Sequence, residues 1–298
     1  IHHYRGRKTC VNRLWVRNHK IIMNIRFIGG GNMAAALIGG LLQQGCTREQ
    51  IAVVETNADQ RGRIKREFDV EAAPDLGGKV FDAGGPANTG VIVLAVKPQQ
   101  LAPVARELAP LLSGQLVVSI AAGIRARDIA RWLGGYERLV RAMPNTPALV
   151  RAAVTGLYAL PDVDTEGKRA AEAILGAVGS VLWCENEEML DAVTAISGSG
   201  PAYIFYFIES VQQAARELGL DPAQARSLSL QTFLGASTLA ASSKEEAATL
   251  RARVTSPGGT TEQAIKVLER EGVKNAILSA AHAARRRSRE LADEFGKA

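Results

Sequence analysis

The chain has 298 residues, 47% of them hydrophobic and 22% charged, which suits one large globular domain or two moderate ones, each with its own core. Its formal net charge of +6 invites a nucleic-acid reading until the charge is located. Residues 1–22 hold six basic side chains (Arg5, Arg7, Lys8, Arg13, Arg17, Lys20) and no acid, so the rest is neutral and the charge says nothing about a partner.

The same stretch carries His2, His3 and His19, and Met23 follows it just before the first strand-like run. Met23 reads as the natural start, and residues 1–22 as a basic extension outside the fold. An upstream start or an appended remnant outweighs a targeting presequence, and no apolar stretch there has the length of a signal peptide or membrane span. Deleting it is expected to leave folding and turnover intact. Beyond it remain one histidine, His282, and two cysteines, Cys46 and Cys184. One chain cannot build a multi-histidine or Cys/His zinc cluster from these, so no metal site is expected. Nor do they suggest a disulfide framework, which makes a reducing, cytoplasmic compartment the default. Both cysteines read as buried bystanders rather than nucleophiles.

From Ile25 short apolar runs alternate with amphipathic stretches. Strands are expected at Ile25–Ile28, Ile51–Val54, Val91–Val96, Leu116–Ala121, Leu139–Ala142, Val154–Leu160 and Val181–Cys184. Helices are expected at Asn32–Gln44, Asp59–Phe68 and about Gln99–Leu108. Strands apolar throughout, separated by helices, imply a mainly parallel sheet covered on both faces, an α/β fold of the doubly wound, Rossmann type. After about Glu187 the β-branched runs give way to alanine- and leucine-rich segments. Helices are expected at Pro201–Leu218, Pro222–Ala241 and Val273–Phe295, with another opening at Glu262. Asp221-Pro222 marks a helix start and Gly219 a stop. The expected domains are 23–186, which binds a dinucleotide, and an all-helical 187–298. So small a helical domain, rich in alanine and glycine, is expected to complete its core against a second copy, in a homodimer or an assembly of dimers. The run Arg285-Arg286-Arg287-Ser288-Arg289 reads as a solvated helix face near Glu290, Asp293 and Glu294.

Gly29-Gly30-Gly31-Asn32-Met33-Ala34 joins the first strand to the first helix and fits Gly-x-Gly-x-x-Ala. Gly29 allows the tight turn, Gly31 lets the backbone approach a pyrophosphate, and Ala34 allows close helix packing. Glu55 closes the second strand about twenty positions further on, where an acid accepts hydrogen bonds from the adenosine ribose. That favours NADH over NADPH, with Arg61 and Arg63 as the counterweight. Ala95-Val96-Lys97-Pro98 and Ala121-Ala122-Gly123 fall at further strand ends and suit a lining for the nicotinamide half. Lys97 reads as a charged flank rather than an acid catalyst. Met143-Pro-Asn-Thr-Pro147 is a stiff turn whose Asn145 and Thr146 suit a cleft wall. Ser197-Gly-Ser-Gly-Pro-Ala-Tyr203 introduces the long helix. Val254-Thr-Ser-Pro-Gly-Gly-Thr-Thr261 presents free N–H groups and three hydroxyls at another helix start, a ready carboxylate site, where ordinary capping would need only one hydroxyl.

Together these motifs resemble the pyrroline-5-carboxylate reductases, over essentially all of the chain from Met23. The last two motifs, in that order and domain, carry the likeness most specifically. The resemblance implies a Rossmann domain, a helical dimerisation domain, and NADPH- or NADH-dependent reduction of 1-pyrroline-5-carboxylate to L-proline, the last step of proline biosynthesis. It further implies cofactor contacts at Gly29–Ala34, Ala95–Pro98 and Ala121–Gly123. Ser256, Gly258, Gly259 and Thr260 would form the substrate-carboxylate loop, and Thr261 would be the catalytic hydroxyl that bonds the ring nitrogen. The expected partners are that small molecule and a second copy of the chain, with no nucleic acid and no membrane. The sequence departs from the family pattern at Glu55-Thr56, where many members have a neutral residue and often a following arginine. It departs again in the glycine-rich 77–88 stretch, to which no cofactor contact is assigned. Within the acidic run Glu185–Glu188 the family's carboxylate is not fixed. A bound cyclic imine is basic enough to be largely protonated, so hydride is accepted without a strong acid, in keeping with a site lacking histidine. The protein then has to supply proximity and electrostatics. A β-hydroxyacid dehydrogenase would need a lysine on the helix after the first domain, yet none lies between Lys168 and Lys244. A nucleotide sensor that has lost turnover is the reading of another class.

Overall fold

The computed structural model describes residues 23–77 and 90–297. The basic extension and nearly all of the glycine-rich 77–88 stretch lie outside the described residues.

Among the described residues eight strands form one sheet: β1 (Ile25–Ile28), β2 (Ile51–Val54), β3 (Glu71–Ala73), β4 (Val91–Leu94), β5 (Leu116–Ser119), β6 (Leu139–Met143), β7 (Ala153–Ala159) and β8 (Gly179–Trp183). Their order is β3-β2-β1-β4-β5-β6-β7-β8. Pairing is parallel from β3 to β6, β7 runs antiparallel to β6, and β8 is parallel to β7. The expected mainly parallel sheet is therefore present, with β7 and β8 reversed. Side chains alternate between two cores. Ile25, Phe27, Val91, Val93, Leu116 and Val118 join one, and Ile28, Ile92, Leu94 and Val117 the other. A sheet buried on both faces needs an apolar residue at nearly every position, which is the run of letters seen in the sequence.

Helices α1 (Asn32–Gln43), α2 (Ala58–Phe68), α3 (Pro98–Leu108), α4 (Ala126–Trp132) and α5 (Thr165–Gly176) accompany these strands. Asn57 caps α2 and Asp164 caps α5 by accepting backbone N–H groups. The inner face of α1 is made of small and aliphatic residues, and a Cβ on Gly40 would lie 2.6 Å from the Ala177 carbonyl oxygen. Periodicity passed over β3, α4 and α5, the first two being too short to show a repeat. It also overran β4 and β5 by two residues, where pairing ends at Leu94 and Ser119.

The later helices are α6 (Met189–Val193), α7 (Gly200–Glu217), α8 (Pro222–Ser242), α9 (Ala247–Arg253), α10 (Thr260–Arg270) and α11 (Val273–Phe295). Asp221 and Gln224 form a capping box with Pro222 in the first turn of α8, as the Asp-Pro signal predicts. Gly219, at φ +96°, follows the last turn of α7. Between α6 and α7 lies one π-turn, Thr194–Gly198, in which the Ser199 N–H reaches back to the Thr194 carbonyl. By packing, the chain forms two compact units. One holds the sheet, residues through Pro201, and the end of α11 from Ala281; the other is Ala202–Ala280.

Candidate active site

Parallel register brings the sequence motifs to one edge. Ile28 is paired with Val54 and with Leu94, and Leu94 with Ser119, so β1, β2, β4 and β5 end level. Backbone bonds carry this one residue further: the Gly29 N–H donates to Val54, Ala95 to Ile28 and Ile120 to Leu94. The chain leaves β1 toward β2 on one side and β4 on the other, the switch point at which open α/β sheets bind ligands. Gly29–Ala34, Glu55, Ala95–Pro98 and Ala121–Gly123 all follow strands that end there.

Gly29 has φ +103°, and a Cβ on it would lie 2.7 Å from the Ala95 carbonyl oxygen, so turn and packing both require glycine. Nothing lies within 4 Å of a Cβ built on Gly31, which leaves its outer face open. Gly31 is also the N-cap of α1, with no side-chain cap and no acid in the first turn. A helix start with no side-chain cap, no acid in its own first turn and an open approach at Gly31 fits a pyrophosphate. Ala34 is buried against the sheet, as its place in the motif predicts.

Glu55 stands at the end of β2 beside this turn. Its carboxylate accepts the Gly30 N–H at 2.8 Å and the Asn57 N–H at 2.8 Å. Arg61 donates to the carbonyls of Glu55 and Thr56. Arg63 donates to the Asn32 side chain and pairs with Glu67. Both arginines thus have internal acceptors. On the neighbouring strand ends Lys97 is exposed and serves as the N-cap of α3, with Pro98 opening that helix. Ala122 is exposed while Ala121 and Gly123 are buried. At Gly123, φ +70°, the space a Cβ would need is filled by Leu291 at 3.2 Å and by the Phe295 ring.

Asn145 ties two segments together. Its amide donates to the Ser197 carbonyl at 3.0 Å and accepts the Val154 N–H at 3.0 Å, tying the Met-Pro-Asn-Thr-Pro turn to the Ser-Gly-Ser-Gly segment. Cys46 and Cys184 are buried free thiols, and burial pushes both away from the thiolate, in keeping with bystanders.

In the helical unit, Ser256–Gly259 leads into α10 with Gly259 as N-cap and no side-chain cap. The hydroxyls of Ser256, Thr260 and Thr261 are therefore not spent on capping. Gly258, at φ +73°, gives its N–H to Glu262, and Gly259 gives its N–H to the Ser256 carbonyl. These two glycines shape the loop, and the first turn of α10 keeps its N–H groups without intrahelical acceptors. The Gly258 N–H and Lys266 hold the Glu262 carboxyl below its usual range. This latch is present above the ordinary carboxylate range and is lost only as pH falls through the lowered value. Thr261 is half-buried and Ser256 exposed.

Residues 187–291 match the family model described as pyrroline-5-carboxylate reductase dimerisation, and residues 24–123 match that of NADP oxidoreductase, coenzyme F420-dependent. A pyrroline-5-carboxylate reductase of Pseudomonas aeruginosa is 47% identical over 274 residues, 92% of this chain and 98% of that protein. One from Haemophilus influenzae is 39% identical over 93% of this chain and 99% of its own length. The chain belongs to the pyrroline-5-carboxylate reductase family. A solved pyrroline-5-carboxylate reductase of Coxiella burnetii superposes with a TM-score of 0.83 at 44% identity, over 90% of this chain and 98% of that one. A Plasmodium falciparum pyrroline carboxylate reductase with NADP bound gives 0.78 at 27% identity, over 91% and 98%.

What sequence reasoning missed in this family member is the ion pair between Arg141 and Glu187. Of the run Glu185–Glu188, Glu187 is the acid that turns inward. It accepts Arg141 at 2.7 Å and the Ala126 N–H at 2.6 Å, so one carboxylate joins β6, the start of α4 and the segment after β8. The Arg141 side chain is 4% exposed and that of Glu187 20%. An arginine inside a strand otherwise made of Leu139, Val140 and Ala142 was the available signal. Arg141→Met, which strands the Glu187 charge, is expected to cost roughly 2 to 4 kcal/mol, below a fully sealed pair because Glu187 keeps some water. Adding Glu187→Gln, which preserves an acceptor for Ala126, should recover part of it in urea unfolding; no recovery would mean the pair is not coupled.

Proposed function

We propose that this chain reduces the C=N bond of 1-pyrroline-5-carboxylate to give L-proline, with NAD(P)H as the electron donor. The observation that carries the reading is the pairing of motifs within this family: an uncapped, glycine-opened helix start at the switch point, and a second uncapped helix start whose hydroxyls are not spent on capping. NAD(P)H supplies a hydride when bound. In the sheet unit, Gly29 and Gly31 give the dinucleotide its approach, and the N–H groups that open α1 hold the pyrophosphate. Ala95–Pro98 and Ala121–Gly123 line the nicotinamide half, with Lys97 as a flank. In the helical unit, the hydroxyls of Ser256 and Thr260 and the first N–H groups of α10 hold the substrate carboxylate, on a turn shaped by Gly258 and Gly259. Thr261 bonds the ring nitrogen. As hydride adds to C2 of the protonated imine, the carbon that becomes C5 of proline, the C=N π pair moves to nitrogen, and the product is a secondary amine. No group has to donate a proton at that moment, so hydroxyls and N–H dipoles suffice.

NADH serves at least as well as NADPH in this reading. Glu55 places a carboxylate beside the glycine turn, where a 2′-phosphate would be repelled, and Arg61 and Arg63 are already engaged elsewhere. The working molecule is a homodimer in a reducing, cytoplasmic compartment. Among the described residues no helix is long and apolar enough to cross a membrane. In the helical unit α7, α9 and α10 have no buried residue, and Tyr206 and Leu218 are 69% and 84% exposed. Apolar surface on that scale is in keeping with a second copy covering it.

Three measurements test these statements. Oxidation of NADH and of NADPH should be followed with pyrroline-5-carboxylate on the parent protein and on Thr261→Val. The variant should lose about tenfold to hundredfold in kcat/KM for the imine, one hydrogen bond to a charged group, while dinucleotide affinity stays near normal. A capping threonine would instead lower stability by about 1 kcal/mol with little kinetic change. Glu55→Ser should shift the kcat/KM ratio toward NADPH; a parent protein that already prefers NADPH strongly would count against the role given to Glu55. Sedimentation at micromolar concentration should show a dimer, and a well-folded monomer would overturn that part.

A further inference from the structure

The segment that follows the Ala121–Gly123 loop is held by the end of α11, within the sheet unit. Gly123 lies against Leu291, whose Cβ would be 3.2 Å from a Cβ there, and against the Phe295 ring. Two residues on, the Arg125 guanidinium pairs with Asp293 at 2.5 Å. One turn into α4, Arg131 donates to the Gly296 carbonyl at 2.6 Å and to Asp128 at 2.9 Å. The helix end is itself anchored: buried Ser288 donates to Asp191 at 2.7 Å, and Arg289 reaches the same carboxylate at 3.4 Å. The arginine run thus divides. Arg287 lies on the solvated face with Glu290 and Glu294, as its sequence suggests, while Ser288 and Arg289 tie α11 to α6.

We propose that the last turns of α11 are a positioning element for the cofactor site: Leu291, Phe295 and Asp293 hold the Ala121–Gly123 loop where the nicotinamide half must meet it. This rests on the reading that the loop lines the dinucleotide. The physical case lies in Gly123. A residue at φ +70° takes its conformation from its surroundings rather than from its own preference, because glycine visits both signs of φ about equally. What surrounds Gly123 on its Cβ side is Leu291 and Phe295, and the backbone two residues later is fixed by an ion pair to the same helix turn. Freed from these contacts the loop samples more conformations, and a ligand that needs one of them binds more weakly in proportion to the population lost. The effect falls on the dinucleotide and not on the imine, whose loop belongs to the other unit.

The test compares Leu291→Ala, Asp293→Asn, Asp293→Glu and Ala122→Asp in the full chain. Direct fluorescence titration gives Kd for NADH and NADPH, with the imine KM and thermal midpoint read alongside. Leu291→Ala and Asp293→Asn are expected to raise the dinucleotide Kd about three- to tenfold with the imine KM unchanged, and Asp293→Glu to restore it. Asp293 is 63% exposed, so its variant is expected to fold even if Leu291→Ala does not. A lowered thermal midpoint with unchanged Kd, while Ala122→Asp raises Kd, would show that α11 only supports the fold and overturn the proposal. An unchanged Kd in Ala122→Asp would instead remove the loop from the cofactor site, and the positioning role with it.

Discussion

The sheet has to hide both of its faces, and most of the structure follows from that. Strands β1, β2, β4 and β5 present aliphatic side chains alternately to two separate cores. Neither core can be left open to water, since apolar area contributes about 25 cal/mol per Å² only while it stays covered. Covering both faces calls for helical crossovers, and crossovers return each strand in the same direction. Strands that all run the same way end at the same edge. The glycine turn, Glu55, Ala95–Pro98 and Ala121–Gly123 share that edge because they are what the chain does immediately after a strand stops.

The helical unit is governed by the opposite circumstance. Among the described residues it holds no strand, and α7, α9 and α10 bury no residue within the chain. What it fixes internally is local: the capping box of Asp221, the turn at Gly219, and the Ser256–Gly259 loop latched by Glu262. Local backbone bonds of this sort can shape a loop for a small anion without a large core beneath it. Its exposed apolar surface is the unfinished part, and the match to a dimerisation model covers this region.

Between these extremes lie the polar contacts that hold the reductase's loops in place. Glu187 satisfies Arg141 and the Ala126 N–H with one oxygen, and Asn145 satisfies a carbonyl and an N–H on segments far apart in the chain. The π-turn Thr194–Gly198 contributes to this arrangement. An i to i−5 bond at Ser199 alters the helical ladder locally, and the Ser197 carbonyl is taken up by Asn145. Such groups are costly when unpaired and modest when paired, so their main effect is to select one arrangement of the loops among those the apolar core would tolerate.

The sequence by itself determined whatever depends on neighbours along the chain. Ile25–Ile28 and Ile51–Val54 were readable as strands, Asp221-Pro222 as a helix start and Gly29–Gly31 as a tight turn into a helix, because backbone geometry there is set by residues within a few positions. Short or weakly patterned elements escaped: Glu71–Ala73 is three residues long, and Ala126–Trp132 spans only two turns. The family likeness was legible for the same local reason, since loop motifs are contiguous. Only the tertiary structure decided which side chains meet across it. It placed the Glu55 carboxylate on the Gly30 N–H, paired Glu187 with Arg141, and set Leu291 against Gly123. These partners are separated by 25, 46 and well over a hundred positions, and their meeting depends on strand order and on where α11 ends. No periodicity encodes that order: it comes from which faces must be buried together, a property of the folded chain as a whole.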